Sequence, residues 1–475
     1  MAERISVDLC VVGAGAGGLA VAGAGAQLGL STVLVEDRDM GDGELDGGDV
    51  ASKALIAAAR AAVQHRQSEA FGVRYDPPRI DFARVRAHVK AAVEAVAPDD
   101  SQTRYEGLGV RIIRARACFT GRDRLMAGDI EIVARRFCIA AGAKPALLPI
   151  AGLERIAYRT PHDIPELDAL PSHLLVVGGG AEGCELGQAF RRLGARVTIL
   201  EMKRLLDDED PELVEVVRRQ LRADGVELRE GVVVTQLEPA GAGIRATLAQ
   251  GADRSTIEGS HLLLAAGRVP ASDDLGLDAA GVACDGRAIR IDERCRTSNR
   301  RIYALGEIAG GPPSTAWTGH QAMAIVKSMM FRLPARTKAQ LLPRVVFSDP
   351  ELAQVGMNEA QARAAGHDRI VVRRFPFAET DRAQTDRATA GFVKLVATPA
   401  GKILGAGIVG TEGGELIQSW GLALAAGLSL RAFTDMITAT PTLSEASKRV
   451  AGGFYAERML AARMRRWVRW LARWP

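Results

Sequence analysis

Two stretches of the chain carry the same succession of apolar, glycine-rich and apolar residues. In the first, DLCVVGAGAGGLAVAGAGAQLGLSTVLVE, an apolar run with valines enters a glycine cluster. Alanines and leucines follow, then a second apolar run, STVLVE, that stops at Glu36. Short, continuous apolar runs bounded by glycine predict buried strands, and the alanine-rich stretch between them predicts a helix. The second stretch, LLVVGGGAEGCELGQAFRRLGARVTILE, repeats the order and stops at Glu201. A third pattern lies at the end of the chain. There Trp467, Trp470, Leu471 and Trp474 recur at i, i+3, i+4 and i+7, the spacing of one helix face.

Strand, glycine loop, helix, strand and a terminal acid make up a dinucleotide fingerprint. Gly13 turns the chain, Gly15 lets the backbone approach a pyrophosphate, and Gly18 allows helix and strand to pack closely. The helix start offers unpaired N–H groups to phosphate, and Glu36 accepts from ribose hydroxyls. Gly178, Gly180 and Gly183 repeat the loop, and Glu201 repeats the acid. A carboxylate at Glu201 favours the free 2′-hydroxyl of NADH over the 2′-phosphate of NADPH, although Lys203 and Arg204 follow it closely. Two such units predict two dinucleotides, a resident FAD and a visiting nicotinamide between which electrons pass. FCIAAGAKP (Ala140, Ala141, Gly142) and LLLAAGRVPASDDLGL (Gly267, Arg268, Pro270) read as strand-to-turn exits.

Composition narrows the class. A chain of 475 residues is long for one core, so two to four domains are expected. No stretch approaches the roughly 20 uninterrupted apolar residues needed to span a bilayer, and the N-terminus lacks a signal-peptide pattern. A cytoplasmic location is expected. The six cysteines (Cys10, Cys118, Cys138, Cys184, Cys284 and Cys295) are scattered singly, most of them in apolar runs, and read as inert buried thiols. The net charge of +4 is concentrated in the tail, where six arginines follow Glu457 without an acid. That asymmetry points to a local partner and not to nucleic acid.

On these motifs the sequence resembles the pyridine nucleotide–disulfide oxidoreductases, which include dihydrolipoamide dehydrogenase, mercuric reductase, glutathione reductase and the soluble transhydrogenase. The resemblance runs from Asp8 to about Ala451 and takes in RVVFSDPELAQVGMNEAQA, AGFVKLVATPAGKILGAGIVG and ATPTLSEA. It implies an α/β fold with two Rossmann-like dinucleotide-binding domains and a C-terminal α+β dimerisation (interface) domain. The implied plan places an FAD-binding domain at 1–150 and 276–340, an NAD(P)H-binding domain at 151–275, an interface domain at 341–452 and a basic Trp-rich tail at 453–475. It also implies a homodimer with FAD in each subunit, the interface domain of one covering the active site of the other. In TSNRRIYALGEIAGG, Gly306 and Glu307 fall where the family holds the flavin ribitol chain, with Glu307 in place of the usual aspartate.

The chain departs from the family where the family does its redox chemistry. The stretch MGDGELDGGDVASKALIAAA aligns through Leu45, Gly48, Ser52 and Lys53, and puts Glu44 and Asp49 on the two cysteines of the family disulfide. The family's acid/base histidine is Thr440 here, while its glutamate partner remains as Glu445. A disulfide exchange needs a thiolate and a base for its proton; both are gone. Lys53 and Glu185, a family ion pair beside the flavin, remain, and the alternative for them is a solvated lysine and a helix-surface glutamate. Ala181 stands where many relatives have a tyrosine over the nicotinamide pocket. Glu44 and Asp49 read either as polar fillers that suit a helix start, as a proton relay, or as a cation site; no metal is assigned.

The expected function is transfer of electrons from NADH through FAD to a small non-disulfide acceptor, foremost a quinone. Nicotinamide transhydrogenation and a flavin-holding dimer without turnover, acting as sensor or scaffold, are the alternatives. For the tail, tryptophans on one side and arginines on the other describe a helix lying in a membrane interface, on the inner face of the membrane. Docking of the same helix on its own dimer, or on another protein, is the alternative.

Overall fold

The first apolar run, Glu3–Val12, is strand β1 in the computed structural model of the chain, which describes residues 3–38, 40–41, 48–459 and 462–474. Its residues alternate between two cores, as the two-residue period of a strand requires. Leu9 and Val11 pack with Leu19 and Val21 of helix α1 (Ala16–Gln27) and with Ile325 of helix α6 (Thr315–Met329). Cys10 and Val12 pack on the other face with Val33, Val35, Ile132 and Phe137. Both faces are covered, which is why the strand reads as a nearly continuous apolar run.

Around β1 a sheet runs in the order β3-β2-β1-β6-β5-β4, built from β2 (Thr32–Glu36), β3 (Val110–Arg114), β4 (Ala117–Gly121), β5 (Arg124–Ala127) and β6 (Ile130–Ile139). A late strand, β18 (Ile302–Ala304), adds to β6 in parallel. Strands β3, β2, β1 and β6 are parallel to one another. The C-terminal ends of β1, β2, β6 and β18 therefore share one edge, where open α/β sheets take their ligands. Those ends lead to Gly13, Glu36, Ala140 and Leu305.

This sheet belongs to a compact unit of Met1–Gly178, Arg192–Arg196 and Val234–Ala339. The unit also contains helices α2 (Asp49–Ser68) and α3 (Phe82–Val96), packed on each other. Strand β7 (Ala143–Pro145) pairs antiparallel with β15 (Arg268–Pro270), and β8 (His173–Val177) pairs parallel with β14 (His261–Leu264). Strands β11 (Val233–Ala240), β12 (Gly243–Gln250) and β13 (Asp253–Gly259) form a small sheet, and β16 (Cys284–Asp285) with β17 (Ala288–Ile289) a short hairpin.

The second unit comprises Gly179–Arg191, Val197–Val233 and Gln340–Pro475. Its helix α4 (Ala181–Arg192) precedes the parallel pair β9 (Arg196–Glu201) and β10 (Glu227–Glu230). Helix α5 (Pro211–Ala223) is capped by Asp210, whose carboxylate accepts the Glu212 N–H. An antiparallel sheet follows in the order β19-β20-β23-β22-β21, from β19 (Arg344–Val346), β20 (Glu351–Gly356), β21 (Val371–Pro376), β22 (Phe392–Ala397) and β23 (Ile403–Gly410). Helices α7 (Gln418–Ala425), α8 (Leu430–Asp435) and α9 (Glu445–Met459) contribute to its core. Trp420 is fully buried there, stacked on Phe433 at 3.9 Å, and its Nε1 donates to Ser447 Oγ at 3.0 Å. Helix α10 (Ala462–Leu471) ends the chain. The α/β class expected from the sequence is the class observed.

Candidate functional site

The first glycine loop leaves β1 with Gly13 at φ +103°, a conformation that L side chains rarely adopt, and a Cβ there would lie 2.3 Å from Ala140 O. A Cβ at Gly18 would lie 1.9 Å from Gly13 O, so that position is fixed by packing. Gly15 differs: it is the N-cap of α1, and a Cβ there would meet nothing within 4 Å. The open space lies at the helix start, where free N–H groups point outward. A pyrophosphate fits this cradle. Glu36 closes the loop from the end of β2. Its Oε2 accepts the Ala14 N–H at 2.7 Å, and its Oε1 accepts the N–H groups of Asp37 and Arg38 at 2.9 and 3.0 Å.

The second loop repeats this geometry. Gly178 is at φ +113°, with its would-be Cβ 2.1 Å from Ala265 O, while Gly180 faces open space and Gly183 is buried in the first turn of α4. Glu201 Oε2 accepts the Gly179 N–H at 2.6 Å, and Oε1 accepts the Lys203 N–H at 2.7 Å. Each acid thus braces the residue after its loop's first glycine, 22 positions upstream. Sequence reading assigned these acids to ribose alone. The equal spacing of 22 was the available signal for the brace.

On the flavin side, the turn after β6 carries Ala141 and Gly142, and the turn after β18 carries Gly306 and Glu307. The Gly306 N–H donates to Gln321 Oε1 at 2.7 Å, which ties this turn to α6. The Glu307 carboxylate is held by Arg268, whose Nε lies 2.9 and 3.2 Å from its two oxygens, and Arg268 Nη2 donates to Ala143 O at 2.7 Å. Gly267, the residue before Arg268, has open space in place of a side chain. The Trp317 side chain is 6% exposed, yet its Nε1 has no acceptor among the described residues; it lies beside Gly311, where a Cβ would be 2.9 Å away. A buried donor without a partner is costly, and an acceptor atom on a bound group removes that cost. Open cradle, braced acid and orphaned donor fit FAD. Sequence reading missed both Arg268 as the partner of Glu307 and Trp317.

At the head of α2, Asp49 is the first residue, is exposed, and accepts the Thr315 hydroxyl at 3.1 Å. Lys53, one turn further, is half-buried. Glu44 lies outside the described residues. Glu185, on α4, is buried and accepts the Phe347 N–H at 2.8 Å, so the alternative of a helix-surface glutamate does not hold. Ala181 is the exposed first residue of α4. Among the described residues no group of three or more His, Cys, Asp or Glu is arranged to hold a metal ion. All six cysteines are free; Cys118 and Cys284 are exposed and the other four buried. Burial pushes the Cys10 and Cys295 thiols up to about 12, and those of Cys138 and Cys184 higher still.

The segment around Thr440 and Glu445 borders an open cleft of about 380 Å³, lined also by Thr434, Thr438, Lys448 and Arg449. Glu445, at the start of α9, is buried; its Oε1 accepts the Thr442 N–H at 3.2 Å and its Oε2 accepts from Arg449 Nη2 at 3.3 Å. The Thr442 N–H, with Arg449 and the Thr440 hydroxyl, holds this carboxyl below its ordinary value and therefore ionised. A threonine hydroxyl donates and accepts hydrogen bonds but does not take up a proton near neutral pH, so Thr440 is no substitute for a base. The cleft supplies hydrogen-bond donors.

Residues 7–325 match the pyridine nucleotide-disulphide oxidoreductase family, and residues 342–451 match its dimerisation domain. The chain is 33% identical over 455 residues to a dihydrolipoyl dehydrogenase of Geobacillus stearothermophilus, covering 94% of this chain and 96% of the relative. It is 30% identical over 447 residues to a mercuric reductase of Lysinibacillus sphaericus, covering 94% and 82%. Among solved structures, the Cu(II) complex of the HOCl-induced flavoprotein disulfide reductase RclA from Escherichia coli superposes with a TM-score of 0.83 at 25% identity, covering 94% of this chain and 99% of that one. Members of the family depend on FAD and take electrons from NAD(P)H. With its two braced glycine loops and its C-terminal dimerisation domain, this chain belongs to the pyridine nucleotide-disulphide oxidoreductase family.

Proposed function

We propose that the protein is an NADH-dependent flavoenzyme that reduces a quinone directly and performs no disulfide exchange. One observation carries this reading. No cysteine occurs anywhere from residue 11 to residue 117, and the head of α2, where the family keeps its disulfide, presents Asp49 hydrogen-bonded to Thr315. A carboxylate forms no disulfide and takes no electrons. FAD, when bound, supplies hydride acceptance from the nicotinamide and delivery of an electron pair to the acceptor. A quinone accepts such a pair without a thiol stage. The balance is NADH, one proton and a quinone giving NAD⁺ and a hydroquinone.

In this reading the chain's own residues bind, orient and supply protons. Gly13, Gly15, Gly18 and Glu36 hold the adenosine end of FAD, Ala141 and Gly142 border it, and Gly306 and Glu307 hold its sugar-alcohol chain. Gly178, Gly180, Gly183, Glu201 and Gly267 hold the nicotinamide nucleotide, with Glu201 disfavouring a 2′-phosphate. Lys53 places positive charge near the flavin ring, and Glu185 is the second charged residue retained from the family's site. Asp49 is exposed and exchanges a proton with solvent. Glu445 stays ionised and orders the Thr440 segment, which in a homodimer faces the partner's site. The tail at 458–475 brings the dimer to the inner face of a membrane, where quinones dissolve.

The test is an anaerobic titration of the FAD-loaded protein with NADH, followed by an acceptor panel. Bleaching of the yellow colour and rapid turnover with a soluble quinone are expected, with none on lipoamide or glutathione disulfide. Robust turnover on either disulfide sinks the reading. Bleaching without turnover on any acceptor points instead to a flavin-holding sensor.

A further inference from the structure

The last helix is unlike any other part of the chain. Every described side chain from Met464 to Trp474 is exposed. Trp467, Trp470 and Trp474 are 56%, 53% and 67% exposed, whereas the other two tryptophans, Trp317 and Trp420, are 6% and 0% exposed. Helical hydrogen bonding continues past Leu471, since the N–H groups of Ala472, Arg473 and Trp474 donate to the carbonyls of Val468, Trp470 and Leu471. That extra turn seats Trp474 over Trp470, ring edge to ring face at 6.1 Å.

Chemistry is segregated around this helix. At 100° per residue, Trp470, Trp474, Trp467, Leu471, Met464 and Val468 occupy an arc of about 160°. Arg465, Arg466, Arg469 and Arg473 occupy about 100° of the opposite side. No acid follows Glu457. Eleven residues of helix measure about 16 Å, half the hydrocarbon thickness of a bilayer, and among the described residues no helix is long and apolar enough to cross a membrane. The helix is built to lie flat.

We propose that residues 464–474 seat the protein on a membrane surface containing anionic phospholipid, with the tryptophans at the headgroup boundary and the arginines against phosphate. This deepens the membrane part of the reading above by naming the lipid chemistry. Charge complementarity selects the occupant. A second copy of the helix, packed apolar face to apolar face, would cover the tryptophans but leave both sets of four arginines on the outer sides with no acid of either tail to pair with. An anionic lipid surface attracts each arginine, and tryptophan is favoured where one end of a ring is apolar and the other wet.

The experiment uses the full-length flavoprotein and no turnover, so its failure and that of the quinone reading are separate. The protein is sedimented with phosphatidylcholine vesicles, with and without phosphatidylglycerol, at low and high salt. Binding to the anionic vesicles, release by salt and a blue shift of tryptophan emission are expected; Trp317 and Trp420 are already buried and do not report. Replacing all four arginines by glutamine lowers partitioning at least about a hundredfold, while the flavin spectrum and dimer mass stay unchanged. Trp467→Ala with Trp470→Ala and Trp474→Ala weakens binding without changing its salt dependence. Absence of vesicle binding at low salt overturns the proposal, as does equal binding to both vesicle types. Tail tryptophans shielded from a soluble quencher in lipid-free protein overturn it in favour of a second copy.

Discussion

The Arg268 guanidinium rests on the Glu307 carboxylate, with Nε 2.9 Å from one oxygen and 3.2 Å from the other. The two residues are 39 positions apart and meet because β15 pairs with β7, which also brings Arg268 Nη2 to Ala143 O. Both side chains are mostly buried, at 29% and 20% exposed. A charge-assisted contact of this kind contributes about 1–3 kcal/mol. It fixes the direction of the acid proposed to hold the flavin's sugar-alcohol chain. Arg268→Met is expected to weaken FAD retention roughly tenfold, read as flavin fluorescence released on dialysis. Glu307→Gln should do the same, and the double variant should cost less than the two added together. Strict additivity would show that the two residues act separately.

The glycines of the two loops divide into those demanded by packing and those demanded by a ligand. Gly15 and Gly180 have room for a methyl group, whereas Gly18 does not. Gly15→Ala should leave the melting temperature of flavin-free protein unchanged and reduce FAD affinity by at least about tenfold, because the added carbon occupies the phosphate approach. Gly180→Ala should leave FAD in place and raise the KM for NADH instead. Gly18→Ala, with its Cβ 1.9 Å from Gly13 O, should lower yield and stability before any ligand is added. Thermal unfolding with and without FAD separates the three.

Glu201 has two duties, and a substitution should divide them. Its carboxylate braces Gly179 and the Lys203 backbone, and in the proposed reading it also receives a ribose hydroxyl. Glu201→Gln removes the charge that repels a 2′-phosphate but leaves one oxygen to accept. The ratio of kcat/KM for NADPH to that for NADH is expected to rise about tenfold, with Lys203 and Arg204 then free to favour the phosphate. An unchanged ratio would place nucleotide discrimination elsewhere.

The second unit is pinned by a buried ion cluster, and its chemistry sets an acid limit. Lys394 Nζ lies 2.7 Å from Asp210 Oδ2 and 2.7 Å from Glu212 Oε1, and both Lys394 and Asp210 side chains are 4% exposed. Arg374 also binds Glu212, and with Lys394 it holds that carboxyl at about 2, from an ordinary value of 4.5. The folded value is the lower one, so the unfolded chain binds the proton more tightly. The stabilisation is therefore complete above about 4.5 and is lost as pH falls towards 2. Lys394→Met strands two acids and should cost about 3–5 kcal/mol. Adding Asp210→Asn, which keeps the cap on α5, should recover part of that loss in chemical denaturation.

Much of this was legible in the chain, and the gaps have a common cause. Gly13, Gly15 and Gly18 carry their meaning locally, because a turn, a cradle and a close contact each need glycine within six residues. The strands and their terminal acids are local too. What escaped is contact at long range. The partner of Glu307 lies on another strand, and the Phe347 N–H received by Glu185 is 162 positions away. Trp317 escaped for a different reason. A tryptophan in a helix reads as core, and only the packed structure shows that its N–H has no acceptor among the described residues. The helix of the tail was readable, since a helix face needs only spacing.

Thiol chemistry gives the most direct check on the acceptor. Cys118 and Cys284 are exposed, while the other four thiols are buried and, at Cys10 and Cys295, pushed up to about 12. Thiolate is the reactive form, so a maleimide at neutral pH should label at most two sites on the native protein, and the rest only after local opening. Neither exposed cysteine lies in the acceptor-side stretch from residue 40 to residue 59. NADH-to-quinone turnover should therefore survive full labelling, and arsenite, which needs two neighbouring thiols, should not inhibit it. An enzyme whose electron path runs through a reduced dithiol is expected to lose activity under both treatments. Loss of turnover in step with modification of one cysteine would place sulfur back in the electron path, and the proposed direct reduction would then be wrong.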